Sequence, residues 1–154
     1  MADFQICRYE SSYAEEAVVM WRASKEEAIG QKEIHSFDSH IHFLNHILPQ
    51  DYEIYLALEN GRVVGITVFN AEELNQLYVA IDQQGKGIGA ALLKLAKEHS
   101  GGSLFLYTFE TNKNAQRFYE KHGFVEVGRG YENEENLPDI KYEWRRDFEV
   151  QGAE

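Results

Sequence analysis

Backbone chemistry is most plainly prepared in six consecutive residues, Gln84-Gly85-Lys86-Gly87-Ile88-Gly89. They follow an apolar strand-like stretch, residues 74–80, and run straight into Ala90-Ala91-Leu92-Leu93-Lys94-Leu95-Ala96, a strong helical run. A glycine-rich turn between strand and helix presents unpaired N–H groups at the positive end of the helix dipole, an arrangement that captures phosphate. Glycines at 85, 87 and 89 let a diphosphate approach without a Cβ in the way, and Lys86 adds a cation. The loop does not fit a nucleotide P-loop, because Lys86 is followed by Gly87 and not by Ser or Thr. It fits the dinucleotide fingerprint poorly, since the third glycine position falls on Leu92 or, counted from Gly85, on Ala90.

The elements that must position this loop read in order β-α-α-β-β-β-α-β-α-β-β. Residues 4–9 form a strand, and Ser12 with Glu15 gives a capping-box spacing for a helix carrying Ala14, Ala17, Val18 and Trp21 and ending near Gly30. A second helix spans residues 39–48, with Pro49 as its stop. Strands at 52–59 and 63–70 flank the hairpin turn Asn60-Gly61, and 74–80 is a further strand. Gly101-Gly102 ends the helix after the glycine loop. Then follow a strand at 103–109, an amphipathic helix at 112–122, a strand at 124–128, and a last one in which Ile140, Tyr142 and Trp144 alternate. The expected fold is α/β: a mixed sheet of six to seven strands flanked by about four helices, in a single domain covering residues 1–154.

On that scaffold the glycine loop matches the Q/R-x-x-G-x-G/A signature of the GNAT N-acetyltransferases. Asn112-Lys113-Asn114-Ala115-Gln116-Arg117-Phe118-Tyr119-Glu120-Lys121-His122-Gly123-Phe124 resembles the same family's N-x-x-A-x-x-F-Y-E-K-x-G-F segment. The motif-level likeness covers residues 73–124, the acetyl-CoA-binding core of the family. Residues 1–50 correspond to the variable region that shapes the acceptor pocket. The resemblance implies transfer of an acetyl group from acetyl-CoA to a primary amine, on a small molecule or a peptide, by direct attack in a ternary complex.

It also implies roles for individual residues. Backbone N–H groups of Gly85, Lys86, Gly87, Ile88, Gly89 and Ala90, after Gln84, hold the diphosphate, and Leu77, Tyr78 and Val79 pair with the pantetheine arm, the Val79 N–H facing the thioester oxygen. Asn112 binds the pantetheine chain or caps its own helix; Thr111 is another cap and Asn114 another ligand. Tyr119 takes the place of the general acid, a phenol of pKa about 10 handing a proton to the departing thiolate. Its plainer role is packing beside Phe118. An alkyl ammonium of pKa about 10.4 loses its proton at pH 7 at a cost on the order of 4–5 kcal/mol, so a base or water chain is needed. Glu73 stands where some members carry a catalytic glutamate, and it reads equally as a solvated carboxylate beside Glu72. Tyr142 and residues 132–135 are further candidates for an amine pocket, and Tyr52, Tyr55, Phe69 and Tyr78 suit an apolar amine or core packing. Homodimers are common in the family, with no interface identified here. The alternative is a catalytically silent CoA-binding regulatory module of the same fold.

The remaining chemistry-bearing residues carry no role. His42 and His46, at i and i+4, lack the partners of a metal site and read, with His35 and His40, as polar-face histidines, one of which could touch substrate; no metal is expected. A single cysteine, Cys7, in an alternating stretch is a strand residue that makes no internal disulfide. With no leader-like or long apolar segment, a reducing, cytoplasmic location is expected. A net charge of -11 disfavours nucleic acid and anionic membranes as partners and suits an amine. The chain, 44% hydrophobic and 27% charged, has the apolar content of a folding chain.

Overall fold

The computed structural model of the chain describes residues 3–147. Its elements are β1 (Gln5–Arg8), α1 (Ala14–Ile29), α2 (Phe37–His42), β2 (Glu53–Glu59), β3 (Arg62–Phe69), β4 (Leu74–Val79), α3 (Ile88–His99), β5 (Ser103–Phe109), α4 (Lys113–Lys121), β6 (Val125–Gly130) and β7 (Asp139–Arg145). This is the expected α/β order, and the strands divide between two antiparallel sheets, β1-β2-β3-β4 and β5-β7-β6. The sheets meet through one isolated parallel bridge, Glu73 to Phe105, where Phe105 N–H donates to the Glu72 carbonyl at 3.0 Å. Beyond that bridge β4 and β5 part.

The β2–β3 hairpin turns on Asn60 and Gly61, both at positive φ (51° and 78°), as that dipeptide demands. Adjacent residues of β3 point to opposite faces and so place two helices on opposite sides of the sheet. Gly65 faces α3, where an added Cβ would lie 2.9 Å from Leu92 Cδ1 and 3.2 Å from Ile88 Cγ2. Tyr78, the cross-strand partner of Ile66, stacks on Trp21 of α1. One core joins α1, β2, β3 and α3; a second gathers Leu104, Leu106, Tyr119, Phe124, Tyr142 and Trp144 around the β5-β7-β6 sheet.

Three local expectations differ from the structure. The Ser12–Glu15 capping box does not form: Ser11–Tyr13 is a 3-10 turn, and α1 starts at Ala14 without a side-chain cap. The neighbouring Glu16 accepts from Val63 N at 2.7 Å, a tertiary bond that ties this end of α1 to β3. The helix expected at 39–48 starts earlier, capped by Ser36 on Ser39 N, and passes from α2 into a π-turn, Phe43–Ile47, and a 3-10 turn, Leu48–Gln50, that includes Pro49. Helix α3 ends at His99, with Ser100 Oγ on the Lys97 carbonyl, before the two glycines are reached. Among the described residues, no helix is long and apolar enough to cross a membrane.

Candidate active site

The edge of β4 is the centre of the site. Ala80 N donates to the Val64 carbonyl at 2.8 Å, so along this antiparallel pair Tyr78 and Gln76 turn their backbone groups toward β3. Leu77 and Val79 therefore turn theirs the other way, toward the gap left by the divergence of β5. Of the Val79 groups, the carbonyl is engaged, accepting from Ser24 Oγ at 2.9 Å and from Gln84 Nε2 at 3.1 Å. The N–H has no strand beside it among the described residues. The Tyr78 backbone, by contrast, is committed to Ile66.

After β4 the chain makes a 3-10 turn, Ile81–Gln83, then passes Gly85 (φ 83°) and Gly87 (φ 89°) into α3. Nothing lies within 4 Å of a Cβ built at either glycine, so the left-handed backbone, not crowding, calls for glycine there. Gly87 caps α3 without a side-chain bond, and the first turn holds no acidic residue, so its N–H groups stay open to an anion. Lys86 Nζ rests on Gln83 Oε1 at 2.9 Å, and Ile88 is buried, contributing backbone only. At Gly89 a Cβ would stand 3.4 Å from the Phe118 ring of α4.

Glu73, Leu77, Tyr78, Asn112 and Tyr119 line one cavity of about 640 Å³ between the β4 edge, β5, α4 and the segments around 21–47 and 133–135. Val79 and residues 84–90 lie outside that lining, at and beyond the end of β4. Tyr119 is 7% exposed, packed edge-on against Phe118 and Phe124, and its hydroxyl makes no hydrogen bond among the described residues. Burial, and then the nearby Tyr78, raises its pKa, so it stays a protonated donor. Glu73 Oε1 accepts from Tyr52 OH at 2.5 Å and Oε2 from Asn75 Nδ2 at 3.1 Å. Burial, then that bond to Glu73, pushes Tyr52 up to about 12. Asn112 is the N-cap of α4, its Oδ1 accepting from Ala115 N at 3.1 Å, which leaves the amide donors for a ligand.

The far side of the cavity joins the acidic segment 132–135, a candidate amine pocket in the sequence, to residues of the α1–α2 region. Lys25 Nζ bridges Glu33 Oε2 (3.1 Å) and Glu135 Oε2 (2.8 Å), with all three side chains at least 85% buried. Burial alone would lower the Lys25 pKa, but hydrogen bonds to Glu135 and Glu33 outweigh it and the value rises. His35 Nε2 meets Glu134 at 2.5 Å, so the segment before β7 is clasped twice onto the α1–α2 region. His40 is buried edge-on against Trp21 at 4.4 Å, and burial lowers its pKa to about 4, against the opposing pull of Glu33 and with help from Arg22 and Lys25. The polar-face reading fails for His40. Phe43 and Ile47, both on the π-turn, complete an apolar wall. Tyr142 is a core residue donating to Glu120 at 2.7 Å and does not line the cavity. Tyr55 and Phe69 stack on each other near His99, also away from it. Glu132 lies in a separate surface depression. No group of three or more His, Cys, Asp or Glu side chains is placed to hold a metal among the described residues.

The family model for the acetyltransferase (GNAT) domain matches residues 10–146. The chain belongs to the GNAT acetyltransferase family. A probable N-acetyltransferase of Mycobacterium tuberculosis is 32% identical over an 88-residue alignment that covers 52% of this chain and 51% of that protein, so the match spans about half of the curated relative. The apo solution structure of YjaB from Escherichia coli superposes with a TM-score of 0.76 at 22% identity, covering 94% of this chain and 98% of YjaB. The putative acetyltransferase yncA from Salmonella typhimurium, solved with acetyl-CoA, gives 0.74 at 16% identity, covering 95% of each chain.

The GNAT chain's own features fit a coenzyme A thioester. An extended amide-bearing arm matches the open β4 edge, a diphosphate matches the N-terminus of α3, which has no side-chain cap, and a carbonyl oxygen matches the Val79 N–H, unpaired among the described residues. The loop was the readable half of this site, since its signal is local. Trp21, Lys25 and Glu33 carried no local signal, Glu33 beside Lys32 resembling any solvated surface; of the acidic run named as an amine-pocket candidate, Glu134 and Glu135 do line the cavity, while Tyr52 reaches the site only through its bond to Glu73.

Proposed function

We propose that the chain transfers an acetyl group from acetyl-CoA to a primary amine by direct attack in a ternary complex. The observation that carries this reading is the unpaired β4 edge, opening at one end into the glycine loop and lined along its side by Tyr119 and Glu73. Acetyl-CoA would supply the activated acyl carbon and a thiolate leaving group. Leu77 and Val79 would bind its arm through backbone groups, with Asn112 donating from the α4 cap and residues 84–90 enclosing the diphosphate. Tyr78 would contribute a side-chain wall. The Val79 N–H would take the charge that develops on the thioester oxygen.

Glu73 would receive the ammonium proton, and Tyr119 would donate to the departing sulfur. Burial of Tyr119 refines that role: a phenol above its ordinary pKa of about 10 cannot fully protonate a thiolate of about 8.5 without an uphill step, so its help is a strong hydrogen bond as the sulfur leaves. Four carboxylates, Glu33, Glu73, Glu134 and Glu135, face one lysine in the cavity beside Trp21, Phe43 and Ile47. That lining favours an amine that arrives as a cation on an apolar body, whether small or at the end of a peptide.

The test is thermal stability with acetyl-CoA, CoA, ATP and NAD, followed by free-thiol release across a panel of amines. A rise in Tm with the CoA species alone and thiol release with one amine class is the expected result. Stabilisation without turnover for any amine would favour the silent CoA-binding module, and no shift at saturating acetyl-CoA would overturn the reading.

A further inference from the structure

The Val79 carbonyl is an anomaly on an edge otherwise open for pairing. A carbonyl oxygen has two lone pairs, and both are used here, by Ser24 Oγ from α1 at 2.9 Å and Gln84 Nε2 from the glycine loop at 3.1 Å. Ser24 is 4% exposed and sits between Trp21 and Lys25, which line the acceptor side of the cavity. Its hydroxyl thus points away from the acceptor and onto the cofactor edge. The same peptide unit is pinned at its other end, where Ala80 N donates to Val64.

An edge residue normally offers an arriving chain one donor and one acceptor. With its acceptor occupied, Val79 offers a donor alone. An amide N–H of the incoming arm therefore finds no partner at Val79 and stops at Leu77, two residues earlier; only an oxygen can bind at Val79. A slip of the arm by one pairing step along β4 would move the thioester by about 6–7 Å, far outside reacting distance.

We infer that Ser24, with Gln84, is a positioning residue that sets the register of the acyl-CoA arm: by filling the Val79 carbonyl it reserves the Val79 N–H for the thioester oxygen. This rests on the acetyltransferase reading. It separates the two forms of the cofactor, because only the acylated form carries the oxygen that the reserved donor recognises.

The experiment is calorimetric titration of CoA and of acetyl-CoA into the wild-type chain and Ser24→Ala, with Ser24→Thr as the conservative variant that restores a hydroxyl. Amide NMR of Val79 and a melting curve accompany each. Wild type is expected to bind acetyl-CoA more tightly than CoA and to shift the Val79 amide with acetyl-CoA only. Ser24→Ala is expected to lose that preference and that selective shift while its CoA affinity stays within twofold, with kcat down about tenfold, the worth of one hydrogen bond. Ser24→Thr recovers the preference. If Ser24→Ala keeps the preference, or weakens both ligands equally while lowering Tm, Ser24 merely packs α1 on β4 and the inference falls alone. If wild type binds neither ligand, the acetyltransferase reading falls and takes this inference with it.

Discussion

Removing one oxygen atom, in Tyr119→Phe, separates catalysis from packing. The Tyr119 ring is 7% exposed and held by Phe118 at 5.2 Å, Phe124 at 5.4 Å and Tyr142 at 6.5 Å between centroids, contacts that phenylalanine keeps. Its hydroxyl bonds to no described residue, so its loss orphans no partner and stability should change by less than about 0.5 kcal/mol. A hydrogen bond to a charged sulfur is worth about 1.5–3 kcal/mol, which converts to a fall in kcat of roughly 10- to 150-fold. Free-thiol release at saturating acetyl-CoA and amine measures kcat, and a melting curve on the same sample measures the fold. Because burial raises the phenol, activity below pH 10 should show no loss from its ionisation. Full kcat with an unshifted Tm would refute the reasoning, as would a rate loss that follows a drop in Tm.

Gly65→Ala places a Cβ 2.9 Å from Leu92 Cδ1 and 3.3 Å from Ala57 Cβ, pressing α3 off β3; urea denaturation should show a loss of about 1–3 kcal/mol. Lys25→Met leaves Glu33 and Glu135 buried without their ammonium, and the same assay at pH 7 should record a loss of about 3–5 kcal/mol, easing as the pH falls and Glu33 protonates. His40 has a folded pKa near 4 against about 6.5 unfolded, so the unfolded chain binds the extra proton and stability falls as pH drops from 6.5 toward 4. Comparing ΔG of unfolding for His40→Gln and wild type across that window should show a flatter profile in the variant, the difference being on the order of 3 kcal/mol.

What was legible in the sequence was local. Asn60-Gly61 announced its hairpin, the alternation of Ile140, Tyr142 and Trp144 named the inward face of β7, and the positive-φ glycines at 85 and 87 marked the loop. Alternation says which face a residue takes but not which strand lies beside it, so the parting of β4 from β5 could not be read. The far wall of the cavity depends on Lys25 meeting Glu135, 110 residues away, and no periodicity reports a contact of that separation. The capping box at Ser12 was a local signal in a place where Glu16 is tied to Val63, and the tertiary bond prevailed. His40 read as surface because its burial comes from Trp21, one helix earlier.

The clasp that joins Glu134 and Glu135 to His35 and Lys25 lines the cavity, the glycine loop lies outside its lining, and the two are made of different material. The loop side is written in main-chain groups, indifferent to most substitutions apart from glycines; the far wall of the cavity is written in side chains on two sequence-distant segments. Under the proposed function, drift in those segments would exchange one amine for another while the main-chain groups of the loop side stay as they are.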